Sequence, residues 1–172
     1  MPEIIRTRDC IILVKGDSVT VTVSPDMSSV GWPGGQGVQW VDSTIDEFMV
    51  TFSDGYAAGF LIWGSDEEAD RFTAMTRQQP TYRYAVMLFG GGILLTRTYE
   101  KYTYASRTSG PLVPIQYNPN DTLFFSLRGL WTNEDEWAAS GDPRAPNTRQ
   151  IGYVCQIPKS NNNYFLGIQY SM

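Results

Sequence analysis

Residues 47–63 read Glu-Phe-Met-Val-Thr-Phe, then Ser53-Asp54-Gly55, then Tyr-Ala-Ala-Gly-Phe-Leu-Ile-Trp. Phe48, Val50 and Phe52 alternate with Met49 and Thr51, which is the two-residue period of a strand. In the returning run Phe60 and Ile62 fall on one face, and Leu61 and Trp63 on the other. A strand that is apolar on both faces has to be covered on both sides, so the chain must fold in layers around it. The stretch reads as a central hairpin, with Gly59 marking a bulge or a close neighbour. After Gly64, Ser65-Asp66-Glu67-Glu68 forms a capping-box pattern with acids where the helix dipole favours them. Ala69, Phe72 and Met75 follow at helical spacing, which predicts one short helix over 66–76 plugging an end of the layers. These acids lack the ligand spacing and internal glycine of a calcium loop, so capping explains them.

The remaining chain is punctuated in the same way. Residues 4–14 predict a first strand, and Val19, Val21 and Val23 alternating with Thr20 and Thr22 predict a second. Lys15-Gly16-Asp17 reads as the hairpin turn between them, and Ser24-Pro25-Asp26 stops the second strand. Residues 31–37 form a glycine-rich loop that would suit a phosphate only if a helix N-terminus followed it. Val38-Gln39-Trp40-Val41 reads as a strand instead. Trp32 in that loop is either a lid on the core or a contact residue. Residues 82–89 and 93–104 flank Gly90-Gly91-Gly92 as the longest hairpin. On its second strand Tyr102 and Tyr104 share a face with Thr98 and Glu100, opposite Arg97, Tyr99, Lys101 and Thr103. That alternation suits a carbohydrate platform, a subunit interface or a solvated face. Residues 106–114 read as loop, 123–131 as a strand, and 150–157 with 164–170 as a closing hairpin. About ten strands predict an all-β protein, an antiparallel β-sandwich of jelly-roll or Greek-key type over 1–172, with a closed barrel as second choice.

Residues 133–149 set Glu134-Asp135-Glu136 beside Trp137 and then run through Gly, Pro and Asn. A connection of about seventeen residues is long for a loop, and such loops tend to be functional. It reads as a protruding arm, with Glu134, Trp137 and Arg144 as contact residues. A glycosidase-like site would need a second facing acid, and none is identifiable. Residues 1–9 read as a second arm, with Ile4 and Arg6 as contacts.

The chain contains no histidine, which removes the commonest general base and metal ligand. No catalytic residue, metal ligand or cofactor is expected. A net charge of −5 with scattered basic residues argues against nucleic acid as a partner. No apolar run reaches ~18 residues, so no membrane span is expected. Cys10 and Cys155 lie in apolar contexts far apart, and read as two buried thiols or, less simply, as a disulfide. The first residues lack the pattern of a signal peptide, so synthesis and folding in the cytoplasm are expected.

A leaderless start, absent histidine, acidic balance, β-sandwich spacing and loops such as Gly31-Trp-Pro-Gly-Gly and 133–149 occur together here. In that style, over the full chain, the sequence resembles structural proteins of tailed-bacteriophage virions, and most of all capsid decoration (cement) proteins. The resemblance implies a virion protein, made in the host cytoplasm, that acts as a symmetric homo-oligomer, often a trimer. Such proteins clamp neighbouring subunits of the major capsid protein through terminal arms and long loops, to which 1–9 and 133–149 correspond. Two other readings compete. One is a carbohydrate- or receptor-binding β-sandwich of a phage tail, using Trp32, Trp40, Trp137 or the tyrosines of 97–104. The other is a carboxylate-dependent hydrolase, which would need two acids about 5–10 Å apart in one pocket.

Overall fold

A computed structural model of the chain describes residues 4–41, 48–65 and 84–172. The helix expected over 66–76 and residues 1–3 of the expected arm lie outside them. The described chain is mostly β and forms two sheets. One has seven strands in the order β1 (Ile5–Arg6), β2 (Cys10–Val14), β8 (Gly91–Thr96), β12 (Leu166–Ser171), β11 (Gly152–Gln156), β9 (Thr122–Phe125) and β10 (Trp131–Thr132). The other closes on itself as a barrel of β3 (Asp17–Val23), β5 (Met49–Phe52), β4 (Gly37–Trp40), β6 (Gly59–Leu61) and β7 (Tyr84–Phe89).

Two chain segments pass from one sheet to the other side by side. β2 runs through Lys15-Gly16 into β3, and β7 runs through Gly90 into β8. β2 pairs with β8 on the sheet side of this corner, and β3 pairs with β7 on the barrel side. Backbones approach closely there: a Cβ on Gly16 would sit 2.3 Å from the Phe89 carbonyl oxygen, and Gly90 has φ +78. Glycine tolerates both conditions. The expected hairpins at 15–17 and 90–92 are therefore corners, at which strands bend between sheets instead of reversing. The C-terminus binds the corner, since Gly90 and Met172 exchange backbone hydrogen bonds of 2.7 and 2.9 Å.

The stretch 47–63 is likewise not a simple hairpin, because β4 lies between β5 and β6: Val38 pairs with Phe52 on one side and Gly59 on the other. Its two-sided apolar pattern is observed for Phe60, Leu61 and Ile62, whereas Trp63, expected on the Leu61 face, packs against the same core as Phe60 and Ile62. Phe60 and Ile62 are buried in the core of the seven-stranded sheet, with Leu94, Trp131 and Tyr170. Leu61 is buried in the barrel core, with Val21, Met27, Trp32 and Met87. Gly59 packs closely on β7, where a Cβ would lie 2.4 Å from the Leu88 carbonyl oxygen. β6 is thus a wall common to two cores. The closing hairpin of β11 and β12 forms as expected.

Short helices fill the connections. Ser24 caps α1 (Pro25–Val30), its hydroxyl accepting from the Met27 amide, and Met27 inserts into the barrel core. The residues that end β3 therefore also start a helix, with proline at the position where its missing N–H costs nothing. α2 (Tyr104–Thr108) and α3 (Glu136–Ser140) are capped by Thr103 and Asp135. The first expected strand is two: β1 folds back on β2, with Ile5 opposite Ile12 and Arg6 opposite Ile11. Residues 5 and 6 are thus an edge strand and not part of a free arm, while Ile4 and the Arg6 side chain remain exposed. Cys10 is buried and Cys155 is exposed, and no disulfide joins them.

Candidate functional site

The segment 133–149, expected to protrude, is folded against an end of the barrel. Asp135 Oδ1 accepts from the Ala138 amide at the start of α3 and from the Thr148 hydroxyl at 2.9 Å, closing the segment on itself. Gly141, at φ +74, ends the helix in the left-handed conformation. A 3-10 turn, Ala145–Asn147, follows. The helix turns Trp137 inward, where it is almost fully buried and donates its indole N–H to the Asp54 carbonyl oxygen at 2.6 Å. Gly55 packs so closely on the indole that a Cβ there would lie 2.4 Å from it. Tyr56 meets Trp137 edge-on, with centroids 4.8 Å apart. The Arg144 guanidinium sits 4.6 Å from the Trp137 ring centre and 5.4 Å from that of Tyr56. Asp54 and Asp142 hold it there, at 2.9 and 2.8 Å. Hydrogen bonds from Arg144 keep the Asp142 carboxyl below its usual value.

Trp137 and Arg144 are therefore not the projecting contacts expected of an arm; they clamp the segment to the 53–56 turn. Glu134 is half-buried and accepts from the Tyr104 amide at 3.1 Å, which ties it to α2. Trp32 is the lid of the two alternatives: it is buried in the barrel core and donates to the Trp63 carbonyl oxygen at 2.8 Å.

Beside the clamp lies a cleft of about 440 Å³, whose lining includes Gln39, Trp40, Tyr56, Trp137, Asn147 and Arg149. Trp40 and Tyr56 are each 48% exposed. Trp40 also meets Phe48, which is 64% exposed, with ring centroids 6.0 Å apart and planes tilted by 54°. Sequence reasoning named Trp40 but missed Tyr56, Gln39, Asn147 and Arg149. The one available signal was Tyr56 directly after the Ser-Asp-Gly turn, which places an aromatic at a turn exit.

A second constellation is buried. Glu100 and Glu136 are almost inaccessible and share the Arg107 guanidinium, which lies 3.5 Å from Glu100 and in short contact with Glu136. Glu100 also accepts from Ser126 Oγ at 2.8 Å and from Arg128 Nε at 3.0 Å, with Arg128 Nη2 on its other oxygen. Glu136 accepts from the Leu127 amide at 3.3 Å. Burial pushes the Glu136 carboxyl up, against the pull of Arg107. A cleft of about 520 Å³ reaches Glu100, Arg107 and Arg128. Donors occupy both oxygens of Glu100, so the arrangement ties α2, α3 and the β9–β10 turn together.

Among the described residues no group of three or more His, Cys, Asp or Glu side chains could hold a metal ion. None of their helices is long and apolar enough to cross a membrane. No protein-family model matches the chain. No curated protein matches it either.

Proposed function

We propose that this chain is a virion structural protein, a capsid decoration or cement protein that stabilises the lattice of a major capsid protein as a symmetric homo-oligomer. The observation that carries this reading is the number of large apolar side chains left uncovered on a well-packed β scaffold. Leu112 and Val113, 57% and 52% exposed, form an apolar tip between Pro111 and Pro114, and Val30, 74% exposed, stands bare at the end of α1. Apolar groups exposed together in this way mark surfaces that are covered in an assembly. The edge strand β1, with Ile4 and Arg6, is a third candidate contact. Two layers packed as a sandwich of jelly-roll or Greek-key type are the architecture that goes with this proposal. The saturated ion network of Glu100 and Glu136 supports a non-catalytic role over a hydrolase, which needs an acid free to meet substrate.

Antibodies against the chain should label gradient-purified virions at symmetric positions in electron micrographs. The purified protein should sediment as an oligomer, and L112S/V113S or V30S should weaken self-association or attachment to empty capsids. A monomer that is absent from virions would overturn the proposal.

A further inference from the structure

We propose that the cleft between Trp40 and Tyr56 is a saccharide subsite that stacks the apolar face of one pyranose ring and hydrogen-bonds its hydroxyls from the rim. This goes beyond the decoration role and does not depend on it. Its volume of about 440 Å³ falls within the ~300–1,000 Å³ typical of small-ligand sites.

The aromatic wall is pre-set. Tyr56 is braced by its T-shaped contact with Trp137 and by Arg144, and Trp137 is itself fixed by its bond to Asp54 and by the close approach of Gly55. A ring held in this way loses little freedom when a ligand stacks on it. An aromatic face with a polar rim matches a sugar, which has one C–H face and an equator of hydroxyls.

The rim has unused polar groups. Gln39 spends its Oε1 on the Asp54 amide at 3.1 Å, which leaves its amide N–H groups for a ligand. Asn147 and Arg149 also line the cleft, and their side chains have no hydrogen-bond or ion-pair partner among the described residues. These groups supply donors, and Asn147 an acceptor as well, which suits vicinal hydroxyls. An extended peptide fits less well, because β4 and β6 belong to a closed barrel with no open strand edge to extend.

Binding of the full chain to an array of oligosaccharides, followed by calorimetric titration with the oligosaccharides that bind, tests this. At least one pyranose-containing oligosaccharide should bind. W40A and Y56A should each weaken it by roughly tenfold, the upper end of one aromatic contact, while Y56F retains most of it. N147A and R149A should weaken it without lowering the thermal midpoint, which separates contact from folding. The proposal is overturned if no saccharide binds, if binding survives the W40A/Y56A double substitution, or if a proline-rich peptide binds where saccharides do not. Virion labelling is a separate readout, so its failure leaves this result distinguishable.

Discussion

Gly55 shows how a single position fixes the clamp. Its φ is +122, and a Cβ there would lie 2.4 Å from the Trp137 indole. Gly55→Ala therefore meets both backbone strain and a rigid neighbour, and should cost about 2–4 kcal/mol in chemical denaturation. Gly110→Ala, at φ +92 but with nothing within 4 Å, should cost only about 1 kcal/mol. Equal losses would show that strain alone matters. Glu136 makes a different residue-scale prediction. Burial raises its folded carboxyl above the unfolded value, so folding takes up a proton in the window between the two. The stabilisation from this group is present at low pH and lost as pH rises through the raised value. Glu136→Gln removes the titration while keeping the acceptor oxygen, so its stability should fall less with pH across that window; an unchanged slope would exclude Glu136 as the source. Trp137 was legible as an unusual residue, but the cap that Asp135 forms with the Ala138 amide was missed, because the helix it starts has only five residues. Its inward direction was not legible, because the Asp54 carbonyl that receives the indole lies 83 positions away.

At the scale of elements, Arg107 reaches from α2 to carboxylates on two other segments. Arg107→Ala leaves Glu136 buried without its cation, and should cost about 3–5 kcal/mol in urea denaturation. Arg128→Ala acts on the same Glu100 but removes a side chain that is 58% exposed, and Arg107 still faces that carboxylate. It should cost clearly less, and the reverse order would mean that Arg128 holds the network. Strand positions were readable along much of the chain because a period of two survives in local sequence, as in Val19, Val21 and Val23. Their partners were not. Gly16 and Gly90 punctuate the chain as hairpin glycines do, yet the chain bends there, because β2 meets β8 and β3 meets β7 over long sequence separations. A glycine records that backbone approaches closely or turns sharply, and not which of the two happens. The helix starts at Ser24 and Thr103 were missed for a related reason: five- or six-residue helices have too few turns to show a period.

For the whole molecule, the question is whether barrel and sheet unfold together. β6 is a strand of the barrel that faces both cores: Phe60 and Leu61 are adjacent, fully buried, and face different ones. The two cores are also sewn by two segments that continue from one sheet into the other at Gly16 and Gly90. Layers joined by two continuous segments and packed on the two faces of one strand cannot separate without exposing Phe60 and Ile62, so a single cooperative transition is expected. Phe60→Ala should cost about 3–5 kcal/mol and Leu61→Ala about 2–5 kcal/mol, each by leaving a cavity in a different core. If the molecule is one unit, either substitution should move the entire transition. The check is to follow urea unfolding in W131F and W32F/W40F backgrounds, which leave tryptophan reporters weighted toward the barrel and the sheet respectively. In both backgrounds Leu61→Ala should shift fluorescence and far-ultraviolet dichroism by the same amount. A transition that splits, with the barrel signal moving while the sheet signal stays, would make the barrel a separate folding unit and β6 a boundary instead of a common wall.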